Sequence, residues 1–192
     1  MKRRLKELLA RRQKRHIDSA DRRPAAVLIP IYYKEGQYYI LFTKRTDKVR
    51  VHKGEISFPG GAYEEEDGSL LNTALRESAE EVGLVAGDIE VLGELDDTLT
   101  QTSDYVVSPF VACIPWPYQF KVDGEEIEQL IEVPVAMLLD RSCLRQETRT
   151  EDDKIITSFF YHCYGHVIWG ATARVLNQLL DVIVRATGAA GR

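Results

Sequence analysis

Between residues 58 and 84 the chain concentrates acids in a pattern that helix energetics disfavour. Glu77, Glu80 and Glu81 stand close together, with Arg76 before them and Gly83 after them. At the α-helical period, Leu71, Leu75, Ala79 and Val82 share one side of a helix and the three acids share the other. Glu77 and Glu81 are like charges at i,i+4, which costs a helix about 0.2–0.5 kcal/mol. Glu80 and Glu81 also fall in the last turn, where the helix dipole is already negative. Local rules broken in this way mark a site. A divalent cation would supply the missing positive charge, and carboxylate oxygens suit Mg²⁺ or Mn²⁺ better than zinc. The plainer alternative is a solvated acidic helix face. The glycine turn Phe58-Pro59-Gly60-Gly61 just upstream and the Arg76-Glu77 pair weigh against it.

These residues resemble the Nudix box, G-x5-E-x7-R-E-U-x-E-E-x-G-U, where U is apolar. Gly61 takes the leading glycine, Arg76-Glu77 the Arg-Glu pair, Glu80-Glu81 the paired acids and Gly83-Leu84 the ending. Two departures are visible: the internal acid is Asp67, with eight rather than seven residues between it and Arg76, and Ser78 occupies an apolar place. Upstream, Leu41-Phe42-Thr43-Lys44-Arg45-Thr46, then Arg50, Gly54 and Phe58-Pro59-Gly60-Gly61, resemble the motif that precedes the box in coenzyme A pyrophosphatases. Phe42 is the conservative departure there. Weaker similarity at residues 105–110 and 168–170 extends the resemblance from Ala25 towards the C-terminus.

The resemblance implies a Nudix-type three-layer α/β/α sandwich around a mixed β-sheet. It implies metal-dependent hydrolysis of the diphosphate in coenzyme A or acyl-coenzyme A, giving 3′,5′-ADP and 4′-phosphopantetheine or its acyl derivative. The cofactor would be Mg²⁺ or Mn²⁺, held by Glu77, Glu80, Glu81 and the Gly60 carbonyl, with Arg76 orienting the carboxylates. Glu126, eight residues before Pro134, is the further acid expected to help the metal or the water; the choice between Glu77 and Glu126 as general base stays open. Arg45, Arg50 and Lys53 form a cationic loop suited to phosphates through charge-assisted hydrogen bonds. With Gly54, Phe58 and Gly61 they are the expected substrate-binding residues. A broader hydrolase of nucleoside diphosphates (ADP-ribose, dinucleotides, nucleotides) and a non-catalytic nucleotide-sensing module are the alternatives. A homodimer is compatible with this reading.

The bulk properties fit one domain. The chain has 192 residues, 44% of them hydrophobic. Residues 1–23 hold ten Lys/Arg against three Asp/Glu, a net +7 that leaves −12 elsewhere in a chain of total charge −5. They are expected to form a basic helix and linker ahead of a single domain over 24–192. Leu5, Leu8 and Leu9 give that helix an apolar edge for packing on the domain. The acidic remainder argues against nucleic acid as the main partner. Cys113, Cys143 and Cys163 lack metal or redox spacing and read as reduced packing residues of a cytoplasmic protein. No apolar run approaches the roughly 20 residues that span a bilayer. His162 and His166 have i,i+4 spacing but no third imidazole, and Trp169 reads as a core or pocket wall.

The elements that must position the acids follow from periodicity and turn residues. A hairpin is expected over residues 25–33 and 38–44, and a short strand and turn over 57–62. The acidic helix should run over 70–82 with Ser69 as N-cap. Strands are expected at 89–99 and 105–114, a helical acidic start from residue 125 before the break at Val133-Pro134, and a hairpin over 146–150 and 155–164. An amphipathic helix over 170–187 closes the chain, with Val175, Leu179, Val182 and Ile183 on its apolar side.

Overall fold

The computed structural model describes residues 1–47, 54–151 and 154–188. Strands β1 (Arg23–Lys34) and β2 (Gln37–Arg45) form the expected hairpin, turning at Glu35 and Gly36, both at positive φ. Helix α1 (Lys2–Arg11) precedes them, and β3 (Ile56–Ser57) and β4 (Gly60–Ala62) follow, pairing with β2 and β1. After helix α2 (Leu70–Val82) come β5 (Glu90–Glu94), β6 (Thr98–Leu99) and β7 (Tyr105–Cys113). β7 runs parallel to β1 from Arg23↔Tyr105 to Ile31↔Cys113, while β5 and β6 pair antiparallel with β7, so the sheet is mixed. Its main order is β3-β2-β1-β7-β5. β8 (Ile127–Pro134) adds to β2, then come α3 (Val135–Leu139), a smaller sheet of β9 (Leu144–Glu151), β10 (Lys154–Cys163) and β11 (His166–Ile168), and helix α4 (Gly170–Thr187).

Strand alternation sends side chains to two cores on opposite faces of the large sheet. Ala26, Leu28, Leu41, Phe110 and Ala112 pack with Ala74 and Val82 of α2. Ile29, Ile31, Ile40, Phe42 and Val111 pack with Leu176, Leu179, Leu180 and Ile183 of α4 and with Leu5 and Leu9 of α1. Three layers result, as expected. On α4, Val175, Leu179 and Ile183 are fully buried, and Val182 is partly buried against the core. The three cysteines are free, with Cys143 and Cys163 buried. No described helix is long and apolar enough to cross a membrane. Leu5 is 0% exposed, and Leu5→Ala is expected to cost about 2–5 kcal/mol, read as a lowered denaturant midpoint.

Two local expectations are corrected. Residues 127–134 form a strand rather than a helical start: Ile131 and Val133 are buried in the core beneath α4, Ile127 is buried at the strand's start, and the segment completes the hydrogen-bonding edge of β2. The acidic run Glu125-Glu126-Ile127-Glu128 conceals that alternation. The segment 89–99 is likewise interrupted between β5 and β6. There Asp96 accepts from Arg12 Nη2 at 2.8 Å and from the Arg15 amide at 2.9 Å, and Asp97 accepts from Ser108 Oγ at 2.6 Å and the Ile17 amide at 3.1 Å. Leu95 still bonds the Pro109 carbonyl of β7 at 3.0 Å, while Asp96 and Asp97 turn to residues 12–17, the Asp97 amide donating to the Arg15 carbonyl at 3.1 Å; α1 ends at Arg11, with Arg12 extended.

Candidate active site

The site begins where β4 crosses β1. Gly60 and Gly61 pair with Val27 and Ala26. A β-carbon on Gly60 would collide with the Ala26 carbonyl and lie 2.7 Å from Val27 Cα. On Gly61 it would run into the Glu77 carboxylate, reaching 2.7 Å from Oε2. The two glycines therefore let a strand and a helix meet with a carboxylate between them.

Helix α2 has the predicted limits. Ser69 accepts from the Asn72 amide at 3.2 Å, and Gly83 ends the helix at φ 71°, with its amide on the Ala79 carbonyl. Its inward face differs from the hydropathy pattern. Ala74, Ser78 and Val82 are 0% exposed and Glu81 only 4%, whereas Ala79 is exposed and Leu71 and Leu75 are partly buried. Small Ala74 and Ser78 bring the helix close to the sheet, and the Ser78 hydroxyl satisfies itself on the Ala74 carbonyl at 2.6 Å. This rotation turns Glu81 inward, where the sequence places it outward.

Arg76 ties the helix to the preceding turn. Its Nε and Nη2 donate to the two Asp67 oxygens at 2.8 and 3.2 Å, Nη1 to Glu77 at 2.8 Å and Glu80 at 3.3 Å, and Nη2 to the Ala62 carbonyl at 3.1 Å. The Asp67 Oδ2 also accepts from Thr73 Oγ1 at 2.8 Å and the Glu64 amide at 3.0 Å. This lock was missed in the sequence, where Asp67 appears only as a displaced box acid. The bidentate Arg76 contact holds the Asp67 carboxyl well below the usual carboxylate range. A folded-state pKa that is depressed contributes stability above the unfolded value of about 3.8 and loses it as pH falls below that value. Asp67→Asn should therefore cost about 1–3 kcal/mol at neutral pH and flatten the acid limb of a stability–pH curve.

Glu81 accepts from the Gly60 amide at 3.3 Å and lies 3.6 Å from Arg45 Nη1. Burial pushes its pKa up to about 8 despite these contacts, and burial also raises that of Glu77 against the pull of Arg76. Arg45 Nη2 donates to Glu126 at 3.1 Å, so one guanidinium spans Glu81 and Glu126. Buried Arg45 Nε has no hydrogen-bond partner among the described residues. Glu126 is fixed in place by the Thr46 amide on its carbonyl at 2.8 Å.

Among the described residues, no three acids, histidines or cysteines already converge into a chelating cluster. The chemistry of the donor set nevertheless fits a hard cation: Glu81 is a buried carboxylate whose ionised form is under-compensated, with the Glu77 and Glu126 charges adding to the repulsion. Glu80 is exposed and accepts from Arg76 Nη1 at 3.3 Å.

A cavity of about 300 Å³ opens beside the turn, lined by Arg45, Gly60, Gly61, the loop Thr100–Ser103 and Trp169. Trp169 is thus a pocket wall. Phe58 is 2% exposed and stacked on Phe42 at 4.8 Å, so it meets the cavity only as part of the floor. Gly54 adopts a left-handed φ of 66° in the loop before β3 and does not line this cavity. Arg50 and Lys53 lie outside the described residues. The Thr100–Ser103 wall carries no signal in the sequence beyond being a polar loop between strands.

A mixed sheet between two helical layers, with this glycine turn and acidic helix, defines the Nudix class. The family model described as the NUDIX domain matches residues 21–159, and the chain belongs to that family. Nudix hydrolases act on nucleoside diphosphates linked to another moiety and generally use divalent ions such as Mg²⁺ or Mn²⁺. Among curated relatives, the chain is 34% identical over 165 residues to the uncharacterized Nudix hydrolase NudL of Photorhabdus laumondii, covering 86% of this chain and 87% of that one. It is 36% identical over 171 residues to NudL of Yersinia pestis, covering 88% and 83%. Similar solved folds include a NUDIX hydrolase from Alicyclobacillus acidocaldarius (TM-score 0.55, 19% identity, 65% of this chain and 84% of that one). The NUDIX domain of Shewanella oneidensis NrtR, solved with ADP ribose, is another (TM-score 0.50, 22% identity, 64% and 78%).

Proposed function

We propose that the protein is a coenzyme A diphosphatase, cleaving the diphosphate of coenzyme A or acyl-coenzyme A with Mg²⁺ or Mn²⁺. The observation that carries this reading is the state of Arg45, which belongs to the motif upstream of the box. It sits between Glu81 and Glu126, borders the cavity, and keeps a buried N–H without a partner among the described residues. A buried donor of that kind is completed by an incoming phosphate oxygen.

Glu77, Glu80 and Glu81, with the Gly60 carbonyl, would hold the cation. When bound it neutralises phosphate oxygens and acidifies water. Arg76 keeps Glu77 and Glu80 in place, its own geometry set by Asp67. Arg45 binds the diphosphate, with Arg50 and Lys53 as further cations nearby in the sequence, and Trp169 offers an aromatic wall for the nucleoside. Either Glu77 or Glu126 takes the proton from the attacking water; comparing the kcat–pH profiles of the two Gln variants identifies which. The free cysteines support a reducing, cytoplasmic setting.

The test is a substrate panel with Mg²⁺ or Mn²⁺ containing coenzyme A, an acyl-coenzyme A, ADP-ribose and a dinucleoside polyphosphate. Coenzyme A and its acyl derivative are expected to give the highest kcat/KM. A panel led by ADP-ribose or the dinucleotide, with coenzyme A last, replaces this reading with the broader nucleoside-diphosphate hydrolase. No turnover despite tight nucleotide binding would leave a sensing module.

A further inference from the structure

The cavity beside the glycine turn does not end at Trp169. Trp169, Gly170 and Gln101 also line a neighbouring cleft, and Arg149, Phe159 and Arg174 of that cleft continue into a larger cavity of about 710 Å³. Arg15, Arg22, Arg149 and Arg174 all border this larger cavity, and Asp97 is the acid among its described lining residues. Asp97 is already committed to Lys14 Nζ at 3.0 Å and Ser108 Oγ at 2.6 Å. Glu147, in the connecting cleft, is paired with Arg145 at 2.7 Å. Among the described lining residues of the larger cavity, arginines therefore outnumber acids.

Two of these arginines are built into the wall. Arg22 Nη1 donates to the Thr100 carbonyl at 2.9 Å, and Arg174 Nη2 donates to the Leu99 carbonyl. Neither has a carboxylate at ion-pair distance among the described residues. Arg174 is half-buried on α4, and burial weakens its hold on its proton, with no anion among the described residues offsetting the loss of water. Carbonyl contacts fix these guanidinium groups without neutralising them, which suits them to receive an anion.

We propose that the cavity bordered by Arg22, Arg149 and Arg174 is a subsite for a ribose phosphomonoester, the additional phosphate that coenzyme A carries beside its diphosphate. The inference rests on the substrate reading above and gives it a physical basis. With the diphosphate at Arg45 and the nucleoside along Trp169, the remaining phosphate enters the arginine-lined cavity next door. An NADP-type nucleotide presents the same chemistry through its 2′-phosphate.

The experiment measures kcat/KM for coenzyme A against dephospho-coenzyme A, and for NADPH against NADH, in the wild type, Arg149→Ala and Arg174→Lys. Arg149 is exposed on β9 and its loss spares the core, while Arg174→Lys keeps the charge but loses the fork. In the wild type the phosphorylated member of a pair is favoured, and in Arg149→Ala that preference falls by about tenfold or more. Loss of preference in the coenzyme A pair supports both the subsite and the substrate reading. Loss confined to the NADPH pair supports the subsite and removes coenzyme A as substrate. Preferences unchanged in both variants, or absent in the wild type, overturn the subsite, whichever diphosphate is cleaved. If neither pair is turned over, calorimetric binding of 3′,5′-ADP against 5′-AMP with Mn²⁺ decides: equal affinities in the wild type overturn the proposal, and a preference lost in Arg149→Ala upholds it.

Discussion

Glu81→Gln should lower kcat by at least about 10²-fold, because a several-kcal/mol contribution to transition-state charge stabilisation goes with its negative oxygen. The same substitution should leave the fold intact. The amide retains an oxygen for the Gly60 amide, 3.3 Å from Glu81 in the wild type, and nearly the same volume. It also removes a buried carboxylate that is costly to ionise. In the wild type the raised pKa means the folded protein binds a proton that the unfolded chain releases. The contribution of Glu81 to the stability of the metal-free protein therefore falls as pH rises from about 4.5 to about 8. Glu81→Gln should flatten most of that fall in a series of thermal melts, and Mn²⁺ should stabilise the wild type at pH 8 far more than the variant. A variant with wild-type turnover, or one whose melting temperature drops at every pH, contradicts this account.

The two glycines of the turn should fail in different ways when given a methyl group. Gly60→Ala brings a β-carbon against the backbone of Ala26 and Val27, which cannot move without breaking the β1–β4 pairing. Overpacking together with the residue's φ of 155° should cost about 2–4 kcal/mol, visible as a large drop in melting temperature. For Gly61→Ala the three nearest atoms all belong to the end of the Glu77 side chain. That side chain can swing aside at the expense of its 2.8 Å bond to Arg76. Stability should change by less than about 1 kcal/mol while kcat falls by about tenfold or more, the signature of a displaced carboxylate. Equal melting temperatures for the two variants would show that the close approach at Gly60 is relaxed in solution.

The limits of the acidic helix were legible because they depend on local chemistry: Ser69 caps its start and Gly83 supplies the left-handed residue at its end. Its orientation was not. Hydropathy ranks Leu71, Leu75 and Ala79 above Ser78 and Glu81, but close approach to the sheet demands small groups, and Ala74 and Ser78 provide them. The strand at residues 127–134 was misread for a related reason: its solvent-facing acids look like a helix start until β2 offers an unpaired edge. Arg45 and Glu126 were both singled out from sequence, yet the guanidinium that joins Glu126 to Glu81 depends on two segments about 80 residues apart. Asp67, the anchor of Arg76, lay hidden in plain view because an eight-residue spacing looks like a defect in a motif and is a bidentate contact in three dimensions.

Helix α1 carries one last consequence. Leu5 and Leu9 close the same core as Ile183 and Ala186, and the Arg4 guanidinium reaches the Ala186 carbonyl at 3.4 Å. During translation, residues 2–11 must wait until the stretch near 186 has cleared the ribosome before they find their seat. A fusion tag joined ahead of residue 2 therefore needs a spacer long enough not to pull that helix from its groove.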